Sequence, residues 1–176
     1  MPTPTGPPYR LLVLRHAKSN WSNSLLADHD RPLAPRGLRA AEALAAHIAT
    51  IDPPALVLCS AARRAQETLE AVRGRLPAAT DVLIEDDLYG ADAALLLARL
   101  RQVADDIPSV LLVGHNPALE DLVRDLGRNG DAGLIERVRT KFPSGALATL
   151  AFDGPWKELG SGPATLEAFV VPRDLD

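Results

Sequence analysis

The sequence predicts an α/β fold: a single three-layer α/β/α domain built on a mostly parallel central sheet. Short apolar runs of strand length alternate along the chain with longer segments of helical periodicity. The runs are apolar throughout rather than alternating, as in strands buried on both faces. The chain has 176 residues, 47% of them hydrophobic, which suits one compact core without disulfide or metal staples.

Each element follows from the residues in order. The Pro-rich start, residues 1–8, reads as a flexible leader, which places the domain at 9–172 and a short tail at 173–176. Tyr9 to Leu14 is a short apolar run closed by a polar cluster, a buried strand. A polar loop runs from Lys18 to Pro32. Pro35 then suits a first helical turn, and Leu38, Ala41, Leu44, Ala45 and Ile48 recur at helical spacing until Asp52-Pro53-Pro54 ends the helix. Ala55 to Cys59 reads as the second strand, Ala61 to Leu76 as an Ala/Arg-rich helix stopped by Pro77, and Val82 to Glu85 as a third strand. Ala91 to Val103 is an alanine-leucine helix, Ser109 to Val113 a β-branched strand, and Ala118 to Leu126 a helix ended near Gly127. Residues 127–144 read mostly as loop. Ala146 to Phe152 and Leu166 to Val171 form a hairpin pair around glycine- and proline-rich turns.

Composition narrows the function classes. The single Cys59 has no disulfide partner, and no CxxC pair or Cys/His run suggests structural zinc. A net charge of −4 argues against an electrostatic grip on nucleic acid. No stretch approaches the length of a spanning helix, and the start does not read as a signal peptide, so a cytoplasmic protein with no membrane partner is expected.

In a parallel sheet, ligands bind beyond the carboxyl ends of the strands. The first strand runs into Arg15-His16-Ala17-Lys18-Ser19, the second into Ser60 with Arg63-Arg64 after it, and the fourth into Gly114-His115-Asn116-Pro117. Taken singly, a histidine after a strand is more often a packed structural residue, and an arginine at a helix start a solvated charge. Three such coincidences at one sheet edge point instead to an anion site. Guanidinium groups match phosphate oxygens in pairs, and helix N-termini add free N–H groups and positive potential. Histidine contributes a nucleophile that titrates near neutrality, and flanking arginines favour its neutral form. The nucleotide, dinucleotide, zinc-protease and serine-hydrolase motifs are all missing. Glu85-Asp86-Asp87 is a bare acidic triplet, as readily a solvated or capping run as a magnesium site.

These residues carry a resemblance. Leu14-Arg15-His16-Ala17 resembles the Arg-His-Gly signature of the histidine phosphatase (phosphoglycerate mutase-like) superfamily. Ser60-x-x-x-Arg64-Ala65-x-x-Thr68 resembles its second motif, and Val113-Gly114-His115-Asn116 its third. With Asp30-Arg31-Pro32-Leu33, the set is closest to the short SixA-type phosphohistidine phosphatase branch. The resemblance implies a phosphoglycerate mutase-like fold, His16 as a transiently phosphorylated nucleophile, and Arg15, Arg64 and His115 as the catalytic pocket that holds the phosphoryl group, with Asn116 and Ser19 also expected to bind phosphate. The motif spacing favours Arg64 over Arg63. Ala17 stands where the superfamily usually has glycine and is small enough to keep the backbone close to phosphate. No cofactor or metal is expected.

The leaving group then decides the substrate. An alkoxide needs a proton in the transition state, a contribution of about 10²–10⁴-fold. Imidazole leaves far more readily. Only Glu85, Asp86 and Asp87 are placed by chain order as candidate general acids, so a P–N substrate is expected: a protein phosphohistidine, with inorganic phosphate as product. A small phosphomonoester or acyl phosphate is the alternative substrate, and a phosphate-binding regulatory module the non-enzymatic alternative, against which intact His16 argues. Arg137, Arg139 and Lys141 read as a solvated loop face, with docking of an acidic partner as the alternative. Trp21 and Trp156 read as packing residues, with framing of the site's mouth as the alternative, Trp21 ahead of Trp156 because it follows the nucleophile by five residues. Cys59 reads as structural. His29 and His47 have no comparable context, and a monomer is the default.

Overall fold

The computed structural model describes residues 8–176, so all but the last residue of the expected leader lies outside the described residues. In chain order the elements are β1 (Tyr9–Arg15), α1 (Pro35–Ile48), β2 (Leu56–Ser60), α2 (Arg63–Arg73), β3 (Asp81–Glu85), α3 (Ala93–Leu100), β4 (Ser109–Gly114), α4 (Ala118–Leu126), β5 (Asn129–Gly130), α5 (Ala132–Thr140), β6 (Leu147–Phe152) and β7 (Thr165–Val170). The strands form one sheet in the order β3-β2-β4-β1-β6-β7-β5. The first four lie parallel, β6 joins β1 antiparallel, β7 pairs antiparallel with β6, and β5 adds a short parallel edge. This is the mostly parallel α/β sheet expected from the sequence, and the expected hairpin pair is β6 with β7.

The continuous apolar runs are explained by two packed faces. Leu11, Val13, Leu58 and Leu112 point to one side, where Leu96 and Leu100 of α3 and Leu119 and Leu122 of α4 cover them. Their neighbours Leu12, Leu14, Val57, Cys59 and Leu111 point to the other, against Leu44 and Ile48 of α1 and Leu69 and Val72 of α2. A strand between two helical layers needs apolar side chains at every position, because successive residues alternate between the faces. Fully burying each leucine contributes about 2 kcal/mol.

The segment 127–144, expected to be loop, instead contains β5 and α5. Gly127, Gly130 and Gly133 broke the pattern in the sequence, but the Asp131 side chain accepts the Leu134 N–H at 3.0 Å and caps the helix. Leu134, Ile135 and Val138 then turn inward, with Val138 buried. Arg137, Arg139 and Lys141 therefore belong to a helix and its C-cap rather than to a loop face, and Arg137 pairs with Asp174 at 2.8 Å. Helix α3 is shorter than its alanine-leucine run because the Asp92 side chain caps it, accepting the Leu95 N–H at 2.9 Å. At the C-terminus, Pro172–Leu175 forms a 3-10 turn that brings Leu175 against the α1/α2 face. Among the described residues, no helix is long and apolar enough to cross a membrane.

Candidate active site

Strands β2, β4 and β1 are neighbours, and their parallel register sets Arg15 beside Gly114 and Cys59 beside Val113. The segments leaving these three strands therefore emerge at one edge of the sheet. There the structure brings together His16, Arg64 and His115. His16 is only 7% exposed. Its Nδ1–H donates to the Ala17 carbonyl at 2.7 Å, and the Arg64 Nε–H donates to Nε2 at 3.3 Å. Both contacts require the proton on Nδ1, so Nε2 is the unprotonated nitrogen, which accepts from Arg64 here and is the ring's nucleophile once that contact gives way. Burial above all pushes the His16 pKa down to about 4; the Ala17 hydrogen bond opposes this, and the Arg64 and Arg15 charges add to it. The ring is neutral, as expected, but dehydration does more than the arginines.

The loop carrying the nucleophile is tied to two helices. The Ala17 N–H donates to Thr68 Oγ1 at 3.0 Å, and the Thr68 hydroxyl donates to the Arg64 carbonyl at 2.7 Å, joining the loop to α2. On the other side Gly37 of α1 lies so close that a Cβ there would sit 2.1 Å from the Lys18 carbonyl oxygen. Only glycine permits that approach.

His115 is oriented by Ser60. The Ser60 side chain is 0% exposed; its Oγ accepts the Ala62 N–H at 3.2 Å and lies 2.7 Å from His115 Nε2. The buried hydroxyl proton has one acceptor within reach, so Ser60 donates to Nε2 and His115 carries its proton on Nδ1. That Nδ1 is buried and has no partner among the described residues, which makes it a donor awaiting an anion. Burial first, then the charges that His16 and Arg64 would present, push the His115 pKa down to about 3. Its ring lies 5.2 Å from that of His16.

Arg15 donates through Nη1 to the Phe142 carbonyl at 2.9 Å, and its buried Nε is a second donor without a partner among the described residues. Asn116 sits beside it with its carboxamide occupied: Nδ2 donates to the same carbonyl at 2.9 Å and Oδ1 accepts the Glu120 N–H at 3.3 Å. Ser19 is buried in a bridge between its backbone and Leu33. Arg63 points to solvent and pairs with Glu67 at 3.4 Å, whereas Arg64 turns inward.

Among the described residues, the side chains of the acidic triplet make no hydrogen bond or ion pair with His16, Arg15, Arg64 or His115. Arg99 engages Glu85 through two hydrogen bonds of 2.8 Å. Asp86 and Asp87 lie in the 3-10 turn Asp86–Leu88 and bond to no site residue among the described residues. Sequence reasoning missed a different carboxylate, Asp28. Arg64 donates Nη1 to its carbonyl at 2.7 Å and Nη2 to its Oδ2 at 3.0 Å, and the Tyr89 hydroxyl donates to the same Oδ2 at 2.5 Å. Tyr89 also meets the rings of His29 and His115 edge-on, at 4.8 and 5.6 Å. His29, set aside in the sequence, thus stands at the mouth. The only signal for this set was Asp30-Arg31-Pro32-Leu33, which marks the loop but assigns Asp28 no role.

Trp21 is 62% exposed and lies under the Arg31 guanidinium at 4.0 Å, so it is not the packing residue expected. Trp156 is fully buried and donates to the Ile107 carbonyl. Cys59 is buried, which pushes its thiol up to about 12, an inert structural side chain. Among the described residues, no group of three or more His, Cys, Asp or Glu side chains is placed to hold a metal ion.

The family model for the histidine phosphatase superfamily (branch 1) matches residues 11–96. An uncharacterized protein of Mycobacterium tuberculosis is 38% identical over 166 residues, covering 91% of this chain and 100% of its own. Among solved structures, a candidate phosphohistidine phosphatase SixA from Nakamurella multipartitia superposes with a TM-score of 0.84 at 31% identity, over 96% of this chain and 98% of that one. One from Agrobacterium tumefaciens gives 0.80 at 29%, over 94% and 99%. Family model and fold agree with the resemblance drawn from the sequence: the chain belongs to the histidine phosphatase superfamily and is a phosphatase of that class.

Proposed function

We propose that the protein is a phosphohistidine phosphatase acting on a phosphorylated protein through a phospho-His16 intermediate. The His16 Nε2 lone pair attacks phosphorus in line, the P–N bond to the substrate ring breaks, and its electron pair leaves with the imidazole. Arg15 Nε, Arg64 and the His115 Nδ1–H hold the phosphoryl oxygens, with charge-assisted hydrogen bonds that strengthen in a water-poor site. In the second step a water oxygen attacks the phosphorus of phospho-His16. The P–N bond breaks, the electron pair returns to Nε2, and phosphate departs as the water proton passes to solvent. Asn116 supports the pocket by holding the Phe142 carbonyl that also anchors Arg15.

One observation carries this reading: Asp28, the carboxylate bonded to Arg64, and Glu85 are both held by cations, and among the described residues Asp86 and Asp87 bond to no site residue. Asp28 receives the Tyr89 hydroxyl and an Arg64 N–H, and these, the hydroxyl most, hold its carboxyl below the usual range, so it is an anion. Glu85 is paired with Arg99. A site whose bonded carboxylate is an anion suits a P–N bond better than an alkyl ester. A surface cavity of about 440 Å³, lined by His29, Asp30, Arg63 and Glu67, adjoins the site through His29 and Arg63 and offers a surface on which a protein substrate could rest. The similarity to the two candidate SixA structures supports the same substrate class.

The test compares kcat/KM for a phosphohistidine peptide with that for an alkyl phosphate monoester. The expected result favours the peptide strongly. Faster turnover of the ester, lost in Glu85→Gln or Asp87→Asn, would make the protein a phosphomonoesterase instead.

A further inference from the structure

We propose that the mouth of the site is an imidazole-recognition subsite, in which Asp28 Oδ1 accepts the remote ring N–H of the departing histidine and the packed pair of Tyr89 and His29 borders the ring on one side. This rests on the phosphohistidine reading and names the group that recognises the substrate's leaving side.

Three features meet there. Asp28 Oδ2 is filled by Arg64 and Tyr89, whereas Oδ1 has no hydrogen bond among the described residues beyond an approach of Arg31 Nε at 3.7 Å, which exceeds hydrogen-bond length. A carboxylate has about four acceptor positions, so Oδ1 has capacity left. The carboxylate is half-exposed at the mouth, yet a single guanidinium joins it to the attacking nitrogen: Arg64 reaches Asp28 through Nη2 and His16 Nε2 through Nε. Finally, the walls are flat. His29, Tyr89 and His115 stand edge to face in series, so the mouth beside Asp28 is bordered by aromatic rings that an imidazole can pack against from outside.

The chemistry needs such an acceptor. Neutral phosphoimidazole has no proton on its remote nitrogen, and breaking its P–N bond would expel an imidazolate. With a proton taken from solvent onto that nitrogen, the same bond breaks to give neutral imidazole, the electron pair going to the departing nitrogen. An anion beside the remote nitrogen favours the protonated form. The protein already does this for its own histidine: in the second step His16 is the leaving imidazole, and its remote Nδ1–H is held by the Ala17 carbonyl at 2.7 Å. Asp28 would perform for the substrate what Ala17 performs for the enzyme.

The test uses Asp28→Asn, which keeps the shape and removes the anion. Three quantities are measured against wild type: the ratio of kcat/KM for phosphoimidazole to that for p-nitrophenyl phosphate, the inhibition constant of free imidazole, and that of inorganic phosphate. A charged hydrogen bond of ordinary strength predicts a ratio lowered about 10- to 100-fold and imidazole inhibition weakened at least about tenfold, with phosphate inhibition changed far less. Equal losses on both substrates, with phosphate inhibition weakened in step, would reduce Asp28 to a support for Arg64 and overturn the proposal alone. An unchanged ratio would overturn it as well. A wild-type enzyme that hydrolyses p-nitrophenyl phosphate but neither phosphoimidazole nor phosphohistidine would overturn the phosphohistidine reading, and this proposal with it.

Discussion

Acidification should destabilise the fold through His16 well above the pH at which the native ring takes a proton. In the unfolded chain a histidine binds its proton near pH 6.5, but in the native site burial and two guanidinium groups lower that to about 4. Above 6.5 both states are neutral and the contribution to stability is fully present. As the pH falls below 6.5 the unfolded state binds a proton that the native state refuses, and stability is lost until the pH passes about 4. At about 1.4 kcal/mol per unit, the loss between pH 7.5 and 5 is roughly 2 kcal/mol for this group. Urea unfolding, followed by the fluorescence of buried Trp156, reads it directly. His16→Gln is neutral throughout, so wild type should lose roughly 2 kcal/mol more than the variant between those pH values, about 1 M in midpoint. Parallel pH dependences would refute the argument, because they would mean that His16 titrates alike in both states. The same burial keeps the nucleophile neutral, so activity should persist well below pH 6.5 rather than fall with an ordinary histidine.

Other consequences stem from single contacts. Ser60→Ala removes the hydroxyl that places the His115 proton on Nδ1; kcat should fall about tenfold, and 15N shifts of His115 should change from one tautomer to a mixture. An unchanged tautomer would show that Ser60 does not set it. Gly37→Ala forces a Cβ to 2.1 Å from the Lys18 carbonyl oxygen and should destabilise by about 2–3 kcal/mol in thermal unfolding, with a loss of activity because the shifted backbone adjoins His16. Glu85→Gln breaks the Arg99 pair and should lower stability by at most about 1 kcal/mol, leaving phosphohistidine kcat/KM within about threefold. A fall of a hundredfold would restore Glu85 as a general acid.

The parallel half of the fold was legible because strands covered on both faces leave no polar position: Leu11 to Leu14 and Val110 to Val113 are apolar without a break. The nucleophile and Arg64 were legible for a related reason, since polar residues interrupting such runs at their carboxyl ends stand out. Helix α5 was not, because three glycines obscured a short amphipathic turn whose start depends on the Asp131 cap. Asp28 and Tyr89 were invisible for a deeper reason. They are separated by 61 residues, lie on loops without periodicity, and acquire meaning only when Tyr89 reaches across to Asp28 and both close on Arg64. The acidic triplet failed as a guide in the opposite way: chain order placed it near the site, but the Arg99 side chain claimed Glu85.

The central claim is covalent: the phosphoryl group passes onto His16. Rapid quench of the enzyme during turnover of a 32P-labelled phosphohistidine substrate should trap an acid-labile, alkali-stable label on the peptide containing His16, with none on His16→Ala, which should also hydrolyse no substrate. Label or normal hydrolysis in His16→Ala would contradict the account.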